Sequence, residues 1–108
     1  MNFDIKDPFF SEKVEAVKAL SNVIDPELFV NIIDLGLVYD IDFSSAGLIK
    51  ITMTLSTPHC PLREAIESGV KNVLTIFPDR IVDINVVWAP VWTVDMITEQ
   101  GKSELGIE

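Results

Sequence analysis

Apolar residues recur along this chain with two alternating periods. Val14, Val17 and Leu20 fall at three-residue steps among Glu12, Lys13, Glu15 and Lys18. That spacing predicts an amphipathic helix, capped by Ser11 and running to about Asn22. The step Asp25-Pro26 stops it, because a residue before proline is pushed out of the helical region. Over residues 33–43 the period changes to two. Leu37, Tyr39, Ile41 and Phe43 take one face, and Val38, Asp40 and Asp42 take a wet face. Gly36 within this strand predicts a bulge or a close backbone approach. Ser44 to Gly47 reads as a turn. Residues 48–56 alternate again, with Ile49, Ile51, Met53 and Leu55 inward and Lys50, Thr52 and Thr54 outward, which completes a hairpin.

The clearest helix spans residues 61–77, where Leu62, Ala65, Ile66, Gly69, Val70, Val73, Leu74 and Phe77 form one stripe. A third strand follows over residues 81–88, with Val82, Ile84, Val86 and Trp88 on one side. Thr93 is placed to cap a last helix through Met96 and Ile97 to about Leu105, weakened by Gly101. The order α-β-β-α-β-α predicts an α+β two-layer sandwich: a small mixed three-stranded sheet with the helices packed on one face. The helix at 61–77 allows a right-handed crossover that sets the third strand parallel to the second. Residues 1–10 read as an N-terminal arm, and 11–108 as a single domain, as the size of 108 residues suggests.

Composition narrows the function. Seventeen acidic residues stand against 8 basic ones, a formal net charge of −9. Nucleic acid and anionic membrane are therefore excluded as expected partners, since both need a basic face. No apolar run reaches the length of a membrane span, and the first residues have no basic and apolar leader. The expected compartment is the cytoplasm. A single cysteine excludes an internal disulfide framework.

That cysteine lies in Ser56-Thr57-Pro58-His59-Cys60-Pro61, between a strand pattern and a helix pattern. The expected geometry puts Cys60 at or beside a helix N-cap with Pro61 at the first helical position. Unpaired amides and a partial positive charge there favour the thiolate, which binds metals and attacks electrophiles. A lone cysteine can equally be a small buried hydrophobe. Ser56 and Thr57 can donate hydroxyl hydrogen bonds to a thiolate, or can simply cap the turn. His59 offers an imidazole, but as a lone loop histidine it can also stand idle in solvent. A zinc or iron–sulfur centre needs four donors, so any centre at Cys60 must be shared with a second copy or a partner.

Two further segments carry chemistry-bearing residues. Asp25-Pro26-Glu27-Leu28 either ends a helix or presents Asp25 and Glu27 to the cysteine loop; Asp34 is expected in a structural hydrogen bond. Trp88, Pro90 and Trp92 form either a lid over the sheet end or a partner surface.

Together these motifs resemble the SufT/PaaD-like family of iron–sulfur cluster assembly domains: DPEL at 25–28, NIIDLGLVYD at 31–40, ITMTLSTPHCPL at 51–62, the 88–92 segment and the tail at 96–106. The resemblance covers about residues 11–107 and implies the two-layer fold of NifU C-terminal-like domains. It implies a site of Cys60 with Asp25, Glu27, Leu28, Ser56 and Thr57 around it, to which His59 is added from its position. The family's usual Trp-Asp-Pro-Pro-Trp reads here with Ala89 and Val91, which leaves partner identity open.

The expectation is a non-enzymatic accessory factor in iron–sulfur protein maturation. It would bind iron or a labile cluster transiently through Cys60, shared between chains in a homodimer or with a scaffold or client apoprotein. A protein carrying no metal at rest fits the same residues equally well. A metal-free interaction adaptor is the first alternative. A thiol-dependent enzyme is the second, and it lacks a clear base, because His59 is the immediate neighbour of Cys60.

Overall fold

The computed structural model describes residues 3–57 and 62–107. Three helices and three strands follow in the order expected: α1 (Phe10–Leu20), β1 (Val38–Asp42), β2 (Leu48–Met53), α2 (Arg63–Val73), β3 (Ile81–Val86) and α3 (Glu99–Leu105). The sheet order is β1-β2-β3. β1 and β2 pair antiparallel, and β2 and β3 pair parallel with Leu48 opposite Ile81 and Met53 opposite Val86. One face of β2 is sealed, since Ile49, Ile51 and Met53 have no exposed surface, while Lys50 on the other face is exposed. Ala16 and Leu20 of α1 and Ile66 and Val70 of α2 join the same core as Ile41 of β1 and Leu74. The result is the mixed sheet of an α+β domain with helices over one face, as the alternation of β2 and the stripe of α2 require.

The arm docks. Phe3 and Phe9 pack against the core, and Phe9 stacks on Phe43 with ring centroids 6.1 Å apart. Arg80 lies over both rings, 4.9 Å from the Phe43 centroid and 5.6 Å from that of Phe9. Its Nη1 donates to the carbonyls of Phe43, Ser45 and Leu48, fixing the hairpin turn. Helix α1 starts one residue before Ser11 and is not capped by it. Asp7 accepts from the Phe9 amide at 2.7 Å and pairs with Lys13 at 2.6 Å, so the acidic group that opens the helix comes from the arm. These contacts hold the Asp7 carboxyl below its usual range.

Several boundaries differ from the periodicity. Strand β1 begins at Val38, not at 33, because residues 31–36 turn back on themselves through Asn31 and Asp34. Val38 is buried although alternation put it on the wet face. The pairing slips by one residue between Val38 and Asp40, so Tyr39 is the extra residue of a bulge. Gly36 is not that bulge. It is a close approach at φ 74°, where any Cβ would overlap the carbonyl of Met96. Thr54 is buried, not outward; it follows the last residue of β2, and its amide donates to the Leu37 carbonyl at 2.8 Å.

Helix α2 begins at Arg63 with Leu62 as N-cap, and Leu74–Ile76 continue it as a 3₁₀ turn. The expected places of Cys60 at the N-cap and Pro61 at the first helical position lie outside the described residues. Thr93 does not cap the last helix either. Val94–Met96 make a 3₁₀ turn, Ile97 is extended, and Thr98 caps α3, accepting from the Gly101 amide at 3.1 Å. Gly101 packs against Asp34 and Ile97, a space a side chain would fill, so the residue that weakens the helix intrinsically is the one that lets it sit there.

Candidate functional site

The acidic turn is built by its aspartate. Asp25 is 3% exposed, and its Oδ1 accepts from the amides of Glu27 at 2.8 Å and Leu28 at 3.1 Å. Its own amide donates to the Val30 carbonyl at 2.9 Å, and its carbonyl accepts from Phe29 at 2.7 Å. An antiparallel bridge between Ile24 and Asn31 closes the base. The carboxylate thus does what aspartate before a turn commonly does, satisfying amides the turn leaves unpaired. Leu28 packs on the core, and Glu27 is exposed. The segment holds a feature the sequence does not announce: Phe29 sits at φ 61° and is 78% exposed. A left-handed residue that is not glycine carries about 1–2 kcal/mol of steric cost. No local signal predicts it, since glycine or asparagine is the usual marker of such a turn.

Asp34 is structural, as expected, but joins more than one partner. Its carboxylate accepts from the Asn31 amide group at 2.7 Å and the Thr98 hydroxyl at 2.8 Å, and its carbonyl accepts from the Thr98 amide at 2.8 Å. It therefore fastens α3 to the 31–36 turn. Tyr39, turned out by the bulge, donates to the Pro90 carbonyl at 2.8 Å and reaches the Met96 sulfur at 3.6 Å. Burial pushes the Tyr39 phenol above its ordinary value.

The residues just after β2 and the tryptophan segment meet in one cleft. Thr54, Leu55, Ser56, Trp88, Val91 and Trp92 line a cleft of about 270 Å³. The Trp92 indole N–H donates to the Leu35 carbonyl at 2.7 Å and its ring packs on the core, so Trp92 is a lid. Trp88 is 43% exposed and Val91 is 73% exposed, so the rim is a surface. The lid and surface readings of this segment apply to different residues. Thr57 is exposed, and Ser56 is half-buried in the cleft wall. His59 and Cys60 lie outside the described residues. Asp25, Glu27 and Leu28 do not line the cleft. Among the described residues no group of three His, Cys, Asp or Glu side chains could hold a metal ion.

Comparison with known proteins adds what geometry alone does not. The family described as iron–sulfur cluster assembly protein matches residues 13–86. The Fe-S protein maturation auxiliary factor YitW of Bacillus subtilis is 43% identical over 97 residues, covering 89% of this chain and 95% of that protein. The Fe-S protein maturation auxiliary factor SufT of Staphylococcus aureus is 41% identical over 86 residues, covering 79% of this chain and 98% of that protein. A crystal structure of a domain of unknown function from Bacillus anthracis superposes with a TM-score of 0.83 at 38% identity, covering 91% of this chain and 94% of that one. The chain has the sequence and the fold of one family along nearly its whole length, and it belongs to the iron–sulfur cluster assembly protein family.

Proposed function

We propose that this protein is an accessory factor in iron–sulfur protein maturation. In this reading Cys60 binds iron or a cluster as cargo and passes it to client apoproteins. The observation that carries it is the likeness, over nearly the full length of both chains, to the maturation auxiliary factors of B. subtilis and S. aureus. The chemistry of the chain supports the same reading. Cys60 is its one thiol and His59 its one imidazole, so a cluster held here needs donors from elsewhere. A site that is incomplete in one chain holds its cargo weakly, which suits transfer. The missing donors come from a second copy of the chain or from the scaffold or client at the moment of exchange.

The surrounding residues take separate roles. Ser56 and Thr57 lead directly into the loop and bring hydroxyl donors for a thiolate or sulfide. Asp25 shapes the acidic turn, while Glu27 is exposed on it. The protein catalyses no bond change of its own, and it works in the cytoplasm. No helix among the described residues is long and apolar enough to cross a membrane.

The test is anaerobic reconstitution with iron and sulfide, followed by absorbance, for the parent and Cys60→Ala. The parent takes up iron–sulfur chromophore and the variant does not. Equal uptake by both defeats the direct-ligand reading. A second reading, the metal-free adaptor, is favoured by the exposed Trp88 and Val91. It predicts that Cys60→Ala still supports maturation of a client enzyme, and that Trp88→Ala does not.

A further inference from the structure

The acidic turn spends its polar groups on holding a shape, and that shape displays an aromatic ring. Two backbone hydrogen bonds, two amide bonds to the Asp25 carboxylate and the Ile24–Asn31 bridge fix residues 24–31 whatever side chain stands at 29. The ring of Phe29 adds little to the core, being 78% exposed, and its backbone sits at φ 61°, where a phenylalanine is strained and a glycine is not. Strain of this kind persists where the surroundings over-determine it, and it gathers at functional positions. Ile24, 49% exposed, and Pro26 extend the apolar surface at the same turn. Glu27 is exposed beside it and takes part in no ion pair among the described residues. A pre-formed apolar knob with an adjacent free carboxylate, on a chain of net charge −9, complements an apolar pocket bordered by arginine or lysine.

We propose that Phe29 and Glu27 form the docking anchor for the client apoprotein, with Phe29 entering an apolar pocket and Glu27 facing a basic residue at its edge. This rests on the maturation reading and names the contact by which the client is held. It separates holding from transfer: the turn binds the client, and Cys60 handles the cargo. A rigid knob suits this task because little conformational freedom is lost when it docks.

The experiment measures affinity of the full-length protein for purified apo-aconitase, as a probe client, at two salt concentrations. Phe29→Gly weakens binding by about 30-fold or more, the loss typical of an anchor residue, while its melting temperature equals or exceeds that of the parent. Phe29→Asn, which also tolerates a left-handed backbone, gives the same result. Glu27→Gln weakens binding by roughly 3-fold to 5-fold and flattens the salt dependence. No binding by the parent overturns the proposal, as does unchanged binding by Phe29→Gly. A lowered melting temperature in both Phe29 variants overturns it too, because Phe29 is then a fold residue. Failure of the maturation reading looks different: Cys60→Ala takes up cargo and matures the client as well as the parent does.

Discussion

The acidic turn and the cleft at the end of β2 are built in opposite ways. In the turn, a buried carboxylate accepts from two amides, and two backbone bonds and a bridge close the loop. In the cleft, the one strong side-chain hydrogen bond among the described residues is that of Trp92 to Leu35, while Trp88 and Val91 are exposed. Thr54, buried in the cleft wall, reaches only its neighbour's carbonyl at 3.5 Å. The turn looks like chemistry in the sequence, and its aspartate also holds the loop's shape. The cleft looks like packing in the sequence, and its rim stands open to solvent. Two turn amides on the Asp25 Oδ1 fix the orientation of that carboxylate. Apolar rims tolerate contact changes that a closed hydrogen-bond network does not.

Substitutions can break this contrast. Asp25→Ala leaves two turn amides without an acceptor in a half-buried place, and should lower the unfolding free energy by about 3 kcal/mol in urea titration. Asp25→Asn keeps an acceptor and should cost less. A mild effect of the alanine variant would mean that the turn is held by its backbone bonds alone. Trp92→Phe keeps the ring and removes the indole N–H, so the same titration should show a loss of about 1 kcal/mol.

The Tyr39–Pro90 link tests the border between the two kinds of construction by pH. The phenol is raised above 10.0 by burial, so its neutral form is favoured in the folded state. Its contribution is complete below the free tyrosine value and is lost as pH rises through the higher folded value. The chain has one tyrosine, so its phenolate absorbance reports this group alone, and the midpoint should fall when the protein is unfolded. Tyr39→Phe should abolish the alkaline loss of stability. The smallest effect belongs to Trp88→Ala, which should change stability by no more than about 0.5 kcal/mol, as expected for a residue on an exposed rim. A larger loss would show that the rim supports the fold and would erase the contrast with the turn.

The element order was legible because burial follows periodicity. Ile49, Ile51 and Met53 are sealed as their alternation required, and Ile66, Val70 and Leu74 as their helical spacing required. Element ends were less legible, because long-range partners set them. Asp7 moved the start of α1, the Asn31–Asp34 pair shortened β1, and Asp34 placed the cap of α3 at Thr98 in preference to Thr93. Of the expected site, Ser56, Trp88 and Trp92 line one cleft, Asp25, Glu27 and Leu28 form the acidic turn, and His59 and Cys60 lie outside the described residues. Phe29 was invisible in the sequence, because a left-handed phenylalanine violates local preference and exists only where closed hydrogen bonds impose it.

By itself the sequence determined the secondary-structure order, the core-facing residues, the acidic surface and the presence of one thiol. Those follow from periodicity and composition, which are local or additive properties. Tertiary structure decided which aspartates are fasteners, which tryptophan is a lid and which residue stands strained in solvent. Each of these depends on a carbonyl, hydroxyl or amide placed by the folded chain, and local preference carries no record of such partners.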